Sequence, residues 1–161
     1  MNTDLDFYKW FETLAVKLGH REISFRKILN YLDNQPTPII ILETGSLREE
    51  ENFLGDGQST LLFDKYTQFR GDNSKVYTVD INPNVTNICK QTVSDKVEII
   101  TGDSVEYLNS FHKKFVVVPI DIRTNGSETT IFVDKLINKD EDFEMKITRS
   151  RFEYLNKKLF L

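Results

Sequence analysis

Four short stretches hold the residues best suited to chemistry: Glu43-Thr44-Gly45-Ser46, Asp80-Ile81-Asn82, Gly102-Asp103-Ser104 and Asp121. Each lies at the end of an apolar run, beginning at Ile39, Val76, Val97 and Phe115 respectively. Ligands of an open parallel sheet bind beyond the carboxyl ends of its strands. If the four runs are strands of one sheet, four acids share that edge. Carboxylates there suit a ligand that carries positive charge and hydroxyl groups better than one that carries a chain of phosphates. Asp80 is the sharpest of the four. It follows Gly57 by 23 residues, close to the ~20-residue interval at which nucleotide-binding folds set an acid on a ribose. A carboxylate accepts both O–H groups of a vicinal diol, and hydrogen bonds to charged groups contribute about 1.5–3 kcal/mol each. Every acid also has a plainer use: Asp103 with Glu106 matches a capping box, Asp56 can cap the helix that follows it, and Asn82 is itself a helix cap.

The elements that must position these residues are legible from periodicity. Leu5, Tyr8, Phe11, Leu14, Ala15 and Leu18 recur at helical steps, with Gly19 placed to end the helix. Ile23, Phe25, Ile28, Leu29 and Leu32 form a second stripe. The aromatic residues Tyr8, Trp10 and Phe11 are expected in the core rather than as a stacking platform. From Pro38 onward the rhythm changes. Ile39 to Leu42 is a continuous apolar run of the kind found in strands covered on both faces. A helix is expected over Gln58–Phe69, a turn at Gly71-Asp72-Asn73, and a strand over Val76–Val79. Asn82 with Pro83 in the first helical position opens the next helix. Val97–Ile100, Ser104–Phe111 and Phe115–Ile122 complete an alternation of strand and helix. This predicts an α/β fold, a Rossmann-like, mostly parallel sheet with flanking helices and two N-terminal helices. After Ile122, Arg123 to Ser127 reads as a loop and Ile131–Ile137 as a strand. Phe143, Met145 and Ile147 alternate with polar residues, so an antiparallel hairpin turning at Asn138–Asp142 is expected, then a short helix over Ser150–Leu159.

The 161 residues fit one domain: a helical extension over 1–35, a core over 38–122 and a divergent completion over 123–161. A net charge of −4 implies no basic face for nucleic acid or anionic membrane. The C-terminal basic residues Lys146, Arg149, Arg151, Lys157 and Lys158 fit a solvated helix face. No apolar run has the length of a membrane span, and no signal peptide opens the chain, so a cytoplasmic protein is expected. One cysteine and two histidines leave no disulfide framework and no expected metal site, and they do not assemble a Ser-His-Asp or Cys-His set.

Three blocks, ETGSLREEENFLGDGQST (43–60), VYTVDINP (76–83) and VEIITGDSVEYL (97–108), together resemble the class I S-adenosylmethionine-dependent methyltransferases, in a bacterial and viral-type branch of that family. The likeness covers about Ile39 to Phe111. It implies S-adenosyl-L-methionine as cofactor. Carried over, Glu43, Thr44 and Gly45 would form the floor under its methionine part, with Asp56, Gly57, Gln58 and Ser59 lining the loop and helix start beside it. Asp80 would hold the ribose hydroxyls, Ile81 would lie against the adenine, and Asp103 and Ser104 would meet the adenine edge. Leu47–Leu54 would be a loop free to approach the acceptor, and Arg48 with Glu49-Glu50-Glu51 solvated surface. The chain departs from the family after the third helix. Where the family's next strand is of the type DLLYLDSYD, this chain reads FVVVPIDIRTNG, with Pro119 lacking the ladder donor of a central strand. Only 39 residues follow Ile122.

The expected function is methyl transfer to a small-molecule or glycan acceptor, with Asp121 as base if the acceptor is a hydroxyl. Two alternatives stand beside it: a non-catalytic cofactor-binding or interaction module derived from a shortened methyltransferase, and another enzyme using S-adenosylmethionine on the same scaffold. A shortened sheet would leave an edge that a second copy could cover, which points to a homodimer.

Overall fold

The computed structural model describes residues 3–54, 58–110, 116–124 and 127–135. Helix α1 (Thr3–Ala15) runs into a 3₁₀ turn over Val16–Leu18, and α2 (Arg21–Asp33) follows. Gly19 breaks the chain between them at φ +54°. Then come β1 (Ile39–Thr44), α3 (Gln58–Arg70), β2 (Lys75–Asp80), α4 (Pro83–Thr92), β3 (Val97–Thr101) and α5 (Ser104–Ser110). Strands β4 (Val116–Thr124) and β5 (Ser127–Lys135) close the described chain.

The sheet order is β3-β2-β1-β5-β4. Strands β1, β2 and β3 are parallel, while β5 is antiparallel to both β1 and β4. The expected Rossmann-like α/β core with N-terminal helices is therefore present. The hairpin, however, falls one strand earlier than the alternation suggested. Arg123, Thr124 and Ser127 belong to its paired strands rather than to a loop, and β5 ends at Lys135. The expected turn at 138–142, the strand over 143–147 and the helix over 150–159 lie outside the described residues.

Pro119 explains where β4 sits. Its missing N–H would interrupt a ladder in the middle of a sheet, and β4 takes the edge of the described sheet. Pairing with β5 is irregular between Val118 and Ile122, the interval that contains the proline.

Alternation along β1 divides the core. Ile39 and Ile41 face a large cluster built from Phe7, Phe11, Phe25, Ile28, Leu29, Leu32, Leu62, Phe63 and Tyr66. Leu42 joins Tyr77 and Val79 on the opposite face, under Val105, Tyr107 and Leu108 of α5. Of the aromatic residues of α1 expected in the core, Phe11 is fully buried, while Tyr8 and Trp10 pack half-buried against the cluster; Phe7 is also buried and meets Tyr66 edge-on with ring centroids 5.2 Å apart. Ile23 is a correction, because it is 62% exposed on α2 while Phe25, Ile28, Leu29 and Leu32 are buried. Among the described residues no helix is long and apolar enough to cross a membrane.

Candidate functional site

Glu43 and Asp80 lie at the carboxyl ends of adjacent parallel strands. The register pairs Glu43 with Thr78, and Asp80 with Thr101 on β3. Their environments differ sharply. Glu43 is fully buried. Its Oε1 accepts the Ser59 hydroxyl, and its Oε2 accepts the hydroxyls of Thr60 at 2.6 Å and Thr78 at 3.3 Å. Burial pushes the carboxyl up to about 7 from 4.5, against the pull of those three hydroxyls and of the Arg21 charge. Glu43 thus supports the site from beneath. It staples the end of β1 to the first turn of α3 and to β2.

Above it the chain turns at Gly45, whose φ of +91° favours glycine and whose N–H donates to the Val79 carbonyl at 2.7 Å. Among the described residues, a side chain added at Gly45 would meet nothing within 4 Å, so the turn is open on that side. Ser46 is buried, its Oγ 2.8 Å from Thr78 Oγ1.

Asp80 reaches the surface only slightly, at 7% exposure. Its Oδ2 accepts the Ser46 N–H at 3.2 Å and its Oδ1 the Asn82 N–H at 2.9 Å, which fixes the carboxylate between the ends of β1 and β2. An ionised carboxylate has about four acceptor sites, so the two N–H groups leave capacity on both oxygens. The Arg48 Nε lies 4.0 Å from Oδ2, on a side chain 54% exposed. Ile81, next along the chain, is 71% exposed. A large apolar side chain beside a fixed carboxylate can offer a face to a ring while the acid takes its polar substituents.

The remaining expected residues divide into three groups. Asp103 is a helix cap: its Oδ1 accepts the N–H groups of Val105 at 2.7 Å and Glu106 at 3.2 Å. It is exposed, and Ser104 behind it is half-buried. Asn82 caps α4 through the Asn84 N–H at 3.0 Å. Gln58 and Ser59 begin α3 and are buried. Ser59 turns to Glu43, and Gln58 Nε2 donates to the Glu49 carbonyl at 2.6 Å. Thr44 ends β1 half-buried. Asp56 and Gly57 lie outside the described residues. Asp121 stands on β4 at the same sheet edge. Val118 is level with Ile131 and so with Glu43, and after the irregularity Ile122 pairs with Thr129, which places residue 121 level with the end of β1. Two strand spacings, about 10 Å, separate β4 from β1.

The loop after Gly45 is docked rather than free. Leu47 is fully buried and Phe53 nearly so. The Arg21 guanidinium donates to the Phe53 carbonyl at 3.4 Å, Lys17 lies over the Phe53 ring, and Thr92 on α4 donates to Glu50 at 3.2 Å. The carboxylates of Glu49, Glu50 and Glu51 face solvent as expected, but two apolar anchors hold the backbone that carries them. Two contributors lie outside the expected set. Thr78 was detectable, because it precedes Asp80 by two residues and a strand repeats its face with period two. Arg21, 6% exposed, had no signal: it reads as an ordinary polar residue at a helix start.

Among the described residues no group of three or more histidine, cysteine, aspartate or glutamate side chains is placed to hold a metal ion. Comparison with family models, with curated proteins and with solved structures found no match.

Proposed function

We propose that the chain binds S-adenosylmethionine and directs its methyl group to a small-molecule or glycan acceptor. One observation carries this: the Asp80 carboxylate, fixed by two backbone N–H groups, stands between the open turn at Gly45 and the exposed Ile81. That arrangement fits a ribose diol on the acid and an adenine against the isoleucine. Asp103 and Ser104 would bound the adenine edge. Glu43 would act indirectly, by holding the Gly45 turn and the start of α3.

When bound, the cofactor supplies an activated methyl group on a sulfonium cation. The protein's work is then orientation, which can contribute ~7–11 kcal/mol. With a hydroxyl acceptor, Asp121 would take its proton.

Thermal unfolding with S-adenosylhomocysteine tests the binding step. At a hundred times the dissociation constant, stability should rise by about 2.7 kcal/mol, and an unshifted transition at millimolar ligand would end the proposal. Asp80→Asn should weaken binding about ten- to 150-fold, the loss of roughly 1.5–3 kcal/mol. Transfer of labelled methyl to candidate acceptors then tests catalysis.

A second reading, a cofactor-binding module without catalysis, is favoured by one specific feature. Strand β5 lies antiparallel between β1 and β4, which moves the strand bearing Asp121 away from the Asp80 site. Ligand binding without product across acceptors, unaffected by Asp121→Asn, would select it.

A further inference from the structure

We infer that Arg48 guards Asp80, so that a nucleoside must displace its guanidinium before both ribose hydroxyls can reach the carboxylate. This rests on Asp80 as the diol acceptor proposed above. A diol engages a carboxylate best with one hydroxyl on each oxygen. Oδ1 accepts the Asn82 N–H. Oδ2 already accepts the Ser46 N–H and has the Arg48 Nε 4.0 Å away. The second hydroxyl and Arg48 therefore compete for the same oxygen.

Arg48 is the more exposed partner and Asp80 the more firmly held one. The acid is 7% exposed and held from two sides, whereas the Arg48 side chain is 54% exposed. Leu47, fully buried beside it, anchors the backbone. Displacing the guanidinium from Asp80 therefore leaves the Leu47 anchor of the turn untouched. Its charge also offsets the Asp80 carboxylate in the free protein. Adenosine, which is neutral, should consequently bind more tightly wherever the pair is weakened.

Calorimetric titration of adenosine and 2′-deoxyadenosine into the wild-type protein and Arg48→Ala provides the test. Arg48→Ala should bind adenosine about two- to fivefold more tightly, the range expected for releasing an ion pair with one half-exposed partner. Raising salt from about 0.01 M to 1 M shrinks the screening length from about 30 Å to about 3 Å. That should tighten adenosine binding to the wild type and leave Arg48→Ala unchanged. Arg48→Lys, which keeps the charge, should keep the salt response. With 2′-deoxyadenosine the gain from Arg48→Ala should vanish, since one hydroxyl needs only Oδ1. Equal or weaker adenosine binding by Arg48→Ala overturns the guard while leaving Asp80 as the diol acceptor. Failure of both proteins to bind adenosine overturns the two together.

Discussion

Replacing Glu43 by glutamine gives a quantitative test of how the site is supported. The carboxyl is fully buried at the end of β1, and burial raises it to about 7 from 4.5. The folded-state value lies above the unfolded one, so the stability tied to its protonated form is fully present below about pH 4.5. That stability is lost as the pH climbs to about 7. Across that window, at about 1.4 kcal/mol per pH unit, the wild type should lose on the order of 3 kcal/mol relative to Glu43→Gln. Glutamine keeps one acceptor oxygen for the Ser59 or the Thr60 hydroxyl, turns its amide N–H toward the oxygen of the other, and cannot ionise. Other groups titrate in both proteins: Glu12, lowered chiefly by its bond from Arg26, and Asp72, whose burial alone would raise it but which the combined bonds from Ser74 and Arg70 and the Arg70 charge bring down. Their contributions cancel in the difference. Urea unfolding of both proteins at intervals from pH 4.5 to 8 is the assay. Parallel stability curves would refute the account, and so would a difference that grows in favour of the wild type as pH rises.

Two further outcomes follow from the same geometry. Gly45→Ala should destabilise the fold by about 1–3 kcal/mol through backbone strain alone, because φ is +91° while the added methyl meets open space; an unchanged urea midpoint would show that the turn relaxes freely. Cys89 is buried, and burial next to the Glu43 charge pushes its thiol up to about 12. A thiol-specific reagent at pH 8 should therefore label Cys89 only as fast as the protein opens, and rapid labelling of the native state would contradict the packing of α4.

Much of the fold was legible because local patterns and tertiary demands agree. Ile39 to Leu42 reads as a strand covered on both faces, and helices pack on both of its sides. Asn82 and Pro83 announce the start of α4, and the Asn82 side chain makes the bond that its type predicts. The hairpin was harder. Val116–Thr124 and Ser127–Lys135 both have strand character, but no local feature states which neighbour each takes. Pro119 carries information about β4: a residue without an N–H argues against a central position, and β4 lies at the edge of the described sheet. Ile23 continued the helical stripe yet faces solvent, since periodicity marks one side of a helix without marking how far the neighbouring elements extend over it.

The site divides in the same way. Sequence alone determined that acids follow the apolar runs, that Asp80 falls at a ribose-like interval after Gly57, and that Asp103 stands where a helix must be capped. Those are properties of residue order, and strand and helix periods convert order into position. Tertiary structure decided what each acid does. Glu43 and Asp80 end neighbouring strands, but one is sealed under three hydroxyls while the other stands between two backbone N–H groups with Arg48 at its outer side. Only packing could separate them, because a carboxylate's role is set by the dielectric and the donors around it, and those arrive from α3, β2 and a loop distant along the chain.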